Sequence, residues 1–271
     1  MQKTKGLWMK AALAGAALML SVGGAAAQQS GGILQQVLSR GTVRIAVLGS
    51  LPPFAQMTPS GTPEGYDIDI ANALGAALKV KVELIVTDIP TRVTGLQTHK
   101  FDLTIADFTR NVERSTTIAF TDPYLVTSMK ALVPIDSPAK TIADLNDPKI
   151  RVAIDRGGTD EIAVPPMLPL AQLVRFNAEA DELASLLNGQ TDIMAEDTLY
   201  NHRQIHDHPG KLRELDGAFA QAEIAIGLPA GDFDWYRVIN LWVHQFNATG
   251  KNAALFKKWF GFDLPPIQAH Y

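Results

Sequence analysis

His202, His206 and His208 are the residues whose types and spacing first suggest chemistry, because side chains four apart share a helical face and two imidazoles so placed could hold a metal. No acidic ligand set with catalytic spacing accompanies them, so a surface helix end accounts for them better than a metal centre. The chain has no cysteine, which removes disulfides, thiolate metal ligands and cysteine nucleophiles together. It also lacks a nucleophile elbow, a phosphate loop and a dinucleotide fingerprint. No metal and no cofactor is therefore expected.

The elements that would position any functional side chain alternate between strand and helix. Residues 43–48 read as a first strand, and Ile70, Ala71, Leu74, Ala77 and Leu78 mark a helical stripe within residues 66–78. Residues 81–86 return to strand character, 91–97 form a short helix and 103–105 a third strand. After the turn-rich residues 134–138 the order recurs: strand 151–154, a helix after Gly157-Gly158, strand 173–176, helix 179–187 and strand 192–195. Two such series predict an α/β fold in two lobes, each a mainly parallel sheet flanked by helices. Trp235, Val238, Ile239, Trp242 and Phe246 recur at helical spacing, with a second helix through Phe256 and Trp259; this aromatic stripe is expected to be core packing rather than a ligand cage.

The N-terminus reads as a targeting segment rather than structure. Lys3, Lys5 and Lys10 precede an apolar run at residues 11–22, and Ala25-Ala26-Ala27 supplies small residues for cleavage after Ala27. The run is shorter than the roughly 20 residues that a spanning helix needs. Without a cysteine a lipid-attached lipoprotein is excluded. Cleavage would leave 244 of the 271 residues and move the formal net charge from −4 to −7, because three lysines and no acid are lost. An acidic chain of this kind lacks the basic face that nucleic acid requires.

Several segments, spread along residues 53–261, carry a family resemblance. They are Pro53-Phe54, Glu64-Gly65-Tyr66-Asp67-Ile68-Asp69, the run from Phe101 through Asp107-Phe108-Thr109 and Val112-Glu113-Arg114 to Thr121-Asp122-Pro123-Tyr124, then Gly157-Gly158-Thr159, residues 189–197 and Lys258-Trp259-Phe260-Gly261. In this order they resemble the polar amino-acid-binding periplasmic proteins of ABC importers, solute-binding protein family 3. The resemblance implies a Venus-flytrap periplasmic binding protein. Lobe 1 would comprise residues 41–133 and 227–271, lobe 2 residues 134–226, and residues 28–40 a lead-in. Two hinge strands would cross near residues 132–134 and 224–228, and the ligand would sit between the lobes, near the carboxyl ends of strands.

A free amino acid carries a carboxylate and an ammonium, and a buried site must answer both charges. By the resemblance, Arg114 forks onto the α-carboxylate, where a lysine could not form two parallel bonds; the alternative is a surface arginine paired with Glu113. Thr109 and Thr159 would bind the same carboxylate, with Gly158 and the backbone N–H groups at the helix start helping; a turn and a helix cap are the plainer roles. Asp197 would accept the ammonium, with a cap as its alternative and Glu196 beside it as a decoy. Leu51 stands where many members place a stacking aromatic and Leu48 where some binders of cationic amino acids place an acid, which argues against lysine and arginine; by the resemblance Leu51 and Phe54 would both line the ligand site. Thr91-Arg92 looks like the arginine-bearing segment of aspartate- and glutamate-binding relatives. An unpaired Arg92 facing the cleft would call for an acidic ligand, whereas Asp107 could neutralise Arg92 or Arg110 and leave a neutral polar pocket. Charge balance favours the acidic amino acid slightly.

The expected partners are thus a small amino-acid ligand and an inner-membrane ABC permease with its ATPase, served by a monomeric, periplasmic, non-enzymatic receptor. The competing reading is an exported enzyme on the same scaffold, similar to the cyclohexadienyl dehydratases, in which a cleft acid protonates a leaving hydroxyl.

Overall fold

A computed structural model describes residues 31–267; the expected signal segment, residues 1–27, lies outside them. In chain order the elements are α1 (Ile33–Arg40), β1 (Thr42–Val47), β2 (Ser50–Leu51), β3 (Ala55–Met57), β4 (Pro63–Glu64), α2 (Tyr66–Leu78), β5 (Lys81–Val86), α3 (Thr91–Gln97), β6 (Leu103–Thr104), α4 (Val112–Ser115) and β7 (Ile118–Pro134). A 3-10 turn at Ile142–Leu145 leads to β8 (Arg151–Asp155), α5 (Asp160–Met167), β9 (Gln172–Phe176), α6 (Glu179–Leu187), β10 (Ile193–Asp197), α7 (Thr198–Asp207), β11 (Leu212–Glu214), β12 (Ala220–Pro229), α8 (Phe233–Ala248) and α9 (Lys251–Phe260).

Two parallel triplets make up the fold. β1 pairs in parallel with β5 and β6, and β8 pairs in parallel with β9 and β10. The long strands β7 and β12 run antiparallel to each other between the triplets and join them into one path, β5-β1-β6-β12-β7-β10-β8-β9. In each triplet the central strand is covered on both faces and is mostly apolar: Val43, Ile45, Ala46 and Val47 in β1, interrupted by the half-buried Arg44, and Val152, Ala153 and Ile154 in β8, are fully buried.

The expected crossing at residues 132–134 falls inside the part of β7 that already pairs with β10 and β11, where Leu132 faces Met194 and Pro134 faces Leu212. The register irregularities between the two long strands lie at Ile224–Ala225 and Ala225–Gly227, within the other expected crossing. Residues 33–40, taken as lead-in, form α1, whose Ile33 and Val37 are buried in the main core.

Apolar periodicity becomes packing in the helices. In α2 the stripe Ile70, Ala71 and Leu74 is buried, and α8 buries Trp235, Ile239, Val243 and Phe246 in the same core. The C-terminal helices thus return to the first triplet, where the Tyr66 hydroxyl donates to Asn252 at 2.5 Å and the Tyr66 ring meets Phe256 edge-on at 5.8 Å. A separate core, with Val152, Ile154, Val164, Ile193, Leu215 and Phe219, underlies the second triplet. Among the described residues no helix is long and apolar enough to cross a membrane.

Candidate functional site

The loops at the carboxyl ends of both triplets converge on one cavity, lined by Leu48, Leu51, Ile89, Arg92, Asp107, Thr109, Met129, Asp155, Gly158, Thr159, Asp160, Glu179, Glu196, Asp197, Ala222 and Ile224. Seven of the nine residues selected from the sequence are on this wall: Arg92, Asp107, Thr109, Gly158, Thr159, Asp197 and Leu51. Arg114 stands at its edge. Phe54 is not on it: the ring is fully buried, edge-on to Phe260 at 5.2 Å and to Tyr66 at 6.4 Å, so it is a core residue and the expected ligand contact is withdrawn.

Arg114 lies in the single turn of α4, which Asn111 starts by accepting a hydrogen bond from the Arg114 N–H at 2.8 Å. Its guanidinium donates from Nη1 to Thr109 O at 2.7 Å and to Thr159 Oγ1 at 3.3 Å, and from Nη2 to Gly157 O at 2.9 Å. One side chain therefore ties the first triplet's loop to the start of α5 in the second. A surface pairing with Glu113 is not what the structure contains; Arg114 is buried, and its cation lies over the Phe108 ring at 5.0 Å. Burial, followed by the neighbouring charge of Arg92, lowers its pKa from the usual range.

Arg92 lies over the same Phe108 ring at 4.8 Å. It donates from Nε to Ile89 O at 3.2 Å and from Nη1 to Ala106 O at 3.0 Å and Asp107 O at 3.4 Å. Arg110 turns away to Glu223 at 2.6 Å and Asp122 at 3.8 Å, so it does not neutralise Asp107.

Asp107 holds a left-handed backbone, φ 43°, which costs a non-glycine residue strain. The buried Asp67, in the first turn of α2, secures it: Oδ2 accepts from the Asp107 N–H at 2.8 Å and Oδ1 from the Tyr124 hydroxyl at 2.9 Å. Burial raises the Asp67 pKa to about 7 against those two hydrogen bonds and the charge of Arg92.

Asp197 caps α7 through a bond from Leu199 N at 2.7 Å, and the same residue lies on the cavity wall. Burial raises its pKa to about 7. Glu196 accepts from the Asp197 N–H at 2.7 Å and also lines the cavity; it is part of the wall, not a bystander. The histidines lie elsewhere: His202 and His206 are exposed on α7, and His206 pairs with Asp207 at 2.9 Å.

The sequence reading missed the acidity of this wall. Asp155 closes β8, Asp160 opens α5 and Glu179 opens α6, and all three are buried on the cavity with Glu182 buried behind them. Desolvation raises the pKa of Asp155, Asp160, Glu179, Glu182 and Glu196, and neighbouring carboxylates push Asp155, Glu179, Glu182 and Glu196 in the same direction. Acids at strand ends and helix starts were visible, but there an Asp or Glu ordinarily serves the helix dipole or cap, which hides a binding role. The slight preference for an acidic ligand rested on an unpaired Arg92. With six carboxyl groups on the wall and one guanidinium, that charge balance is reversed.

Comparison with known proteins follows the same geometry. A family model described as bacterial extracellular solute-binding proteins, family 3, matches residues 43–262. The chain is 26% identical over 239 residues to a cyclohexadienyl dehydratase of Pseudomonas aeruginosa, covering 86% of this chain and 87% of that one. It is also 26% identical to an L-arginine-binding protein of the same organism, over 82% of this chain and 89% of the other. The crystal structure of an ancestral amino-acid-binding protein, a precursor of cyclohexadienyl dehydratase, superposes with a TM-score of 0.78 at 30% identity, covering 84% of this chain and 99% of that one.

Proposed function

The chain belongs to the bacterial extracellular solute-binding proteins of family 3, and from that premise we propose that it is a periplasmic receptor that captures a polar amino acid and delivers it to an ABC permease. Residues 1–27 are the signal removed on export, and the receptor acts as a monomer. The residues around 41–133 and 227–271 form one lobe and those around 134–226 the other.

The observation that carries this reading is the convergence of Arg92, Asp107, Thr109, Thr159 and Asp197, from separate loops of both triplets, on one buried cavity with Arg114 at its edge. Arg114 exchanges its bonds to Gly157 O and Thr159 for the ligand carboxylate, while Thr109 Oγ1 and the first N–H groups of α5 complete that end. Asp197 and Asp107 face the ammonium. The carboxylates gather from both triplets, so a cationic group is neutralised only when the halves close, and binding and closure are coupled.

The ligand has no side-chain carboxylate. A second carboxylate on the ligand would meet Asp155, Glu179 and Glu196 at a heavy desolvation cost, whereas those acids offset the cost of burying a cationic side chain. Lysine- and arginine-like amino acids are the first to test, despite Leu48 and Leu51, because all the wall acids but Asp107 come from the second triplet rather than from β1 and β2. Calorimetry of protein stripped of carried-over ligand by unfolding and refolding, against the twenty amino acids, is the experiment. Arg114→Ala and Asp197→Ala each weaken the best ligand by about 30-fold or more, the usual result of truncating one partner of a buried charge pair. Full affinity in both variants would falsify the pocket.

One observation favours a second reading. Burial and neighbouring carboxylates raise the pKa of Asp155 and Glu196, the direction that a general acid for a dehydration requires. Aromatic product from prephenate or arogenate incubated with the pure protein would establish that activity and displace the receptor.

A further inference from the structure

We propose that Asp155, Asp160 and Glu182 form a binding site for a hard divalent cation, Ca²⁺ above others, at the back of the cavity. One carboxylate oxygen from each lies within 4.8 Å of the others. Two oxygens on one Ca²⁺, each about 2.3–2.6 Å from it, can be no more than about 5 Å apart, so the three fit a single ion.

The second observation is the state of these groups. Glu182 is fully buried, yet neither of its oxygens has a hydrogen-bond partner, and the same holds for Asp155 Oδ1. Carboxylates without donors in the interior carry a desolvation penalty that only a cation or a proton relieves. Arg92 acts on Asp155 and Asp160 through its charge, but its hydrogen bonds go to the backbone carbonyls of Ile89, Ala106 and Asp107. The three acids come from the end of β8, the start of α5 and the body of α6, all regular elements, so the cluster is held by the fold. Gly158 keeps the approach clear: a Cβ there would stand 2.0 Å from Asp160 Oδ1.

Position distinguishes a metal from the amine of a bound ligand. Asp155 and Asp160 are on the cavity wall, but Glu182 is behind it. A group tethered to a ligand in the cavity meets the two aspartates, while a free ion can settle among all three. The donors are all oxygens, which selects a hard cation over copper or zinc, and a glutamate with both oxygens available suits the large, irregular shell of Ca²⁺ better than the strict octahedron of Mg²⁺.

The test uses mature protein treated with chelator and desalted, followed by calorimetry and thermal melts in Ca²⁺, Mg²⁺ or potassium chloride alone. Ca²⁺ binds once per chain and at a hundredfold excess over Kd raises Tm by about 5 °C or more, with a smaller shift for Mg²⁺. Glu182→Gln weakens Ca²⁺ at least tenfold while its metal-free Tm stays equal or rises; Asp155→Asn serves as the second variant if Glu182→Gln does not fold. No Ca²⁺ heat up to 10 mM, or equal binding by both variants, overturns the site. If Glu182→Gln abolishes lysine or arginine capture and Ca²⁺ has no effect, the cluster is the seat of the ligand's own cation and the metal proposal fails, while the receptor assignment survives.

Discussion

Phe54 illustrates how a residue inside a recognisable segment can have a role unrelated to ligand. Its neighbours in the resemblance suggested the cleft, but its ring is enclosed by Tyr66 and Phe260. Phe54→Ala should therefore cost about 3–5 kcal/mol of stability, the range for a buried aromatic truncated in a core, while the order of preference among amino acids stays as in the parent protein. Urea titration and calorimetry on the same preparation measure both, and a reordered preference would return Phe54 to the ligand wall. Asp67 is the converse case. It does not line the cavity, yet through its bond to the Asp107 N–H it holds a strained cavity residue in place.

At the scale of elements, regular segments agreed closely with their sequence pattern and irregular ones did not. The bounds of α2, β5, α3 and α6 coincide with the expected spans, because each combines a clear apolar period with local stop signals. The small sheet β2-β3-β4 and the single turn α4 carry no period long enough to read, although they set Leu51 and Arg114. The entry to α2 depends on Gly65, at φ 142°, where a Cβ would stand 2.2 Å from Phe54 O. Gly65→Ala should destabilise the chain by about 2 kcal/mol or more through strain and overpacking. Because the turn also aims Asp67, the ligand Kd should rise in the variant fraction that remains folded. Unchanged stability in a denaturant melt would show that the turn yields easily.

For the whole molecule, the buried acids make stability depend on pH in an uncommon direction. Asp67 and Asp197 have pKa values of about 7 in the fold, against 3.8 ordinarily. Between those values the folded chain holds protons that the unfolded chain has released, so stability falls as pH rises through about 7, by up to roughly 4 kcal/mol per group. Facing Asp67 are the Tyr124 hydroxyl, the Asp107 N–H and Arg92; facing Asp197 are Thr127, the Leu199 and Tyr200 N–H groups and Glu214. Below pH 4 the opposite trend takes over, since Asp192, paired with Arg151, and Glu161, bonded to the Gly157 N–H and Arg175, have lowered pKa values. Unliganded protein should therefore melt higher at pH 5.5 than at pH 8, while amino-acid affinity moves the other way because an ammonium requires Asp197 ionised. A Tm that rises with pH across this range would count against the buried, proton-holding arrangement.

The α/β alternation, the two series and the aromatic core stripe were determined by the sequence alone, because apolar period and turn chemistry are local properties that survive without knowledge of partners, whereas the seven selected residues that lie on the cavity wall came from the family resemblance. The charge of the pocket was decided only by tertiary structure. Asp155, Asp160, Glu179, Glu182 and Glu196 are far apart along the chain or disguised as helix starts, and electrostatic energy depends on the distances and burial that folding creates between them. Arg92 shows the same division: its type was evident, but whether it stood alone or among acids was a fact of three dimensions.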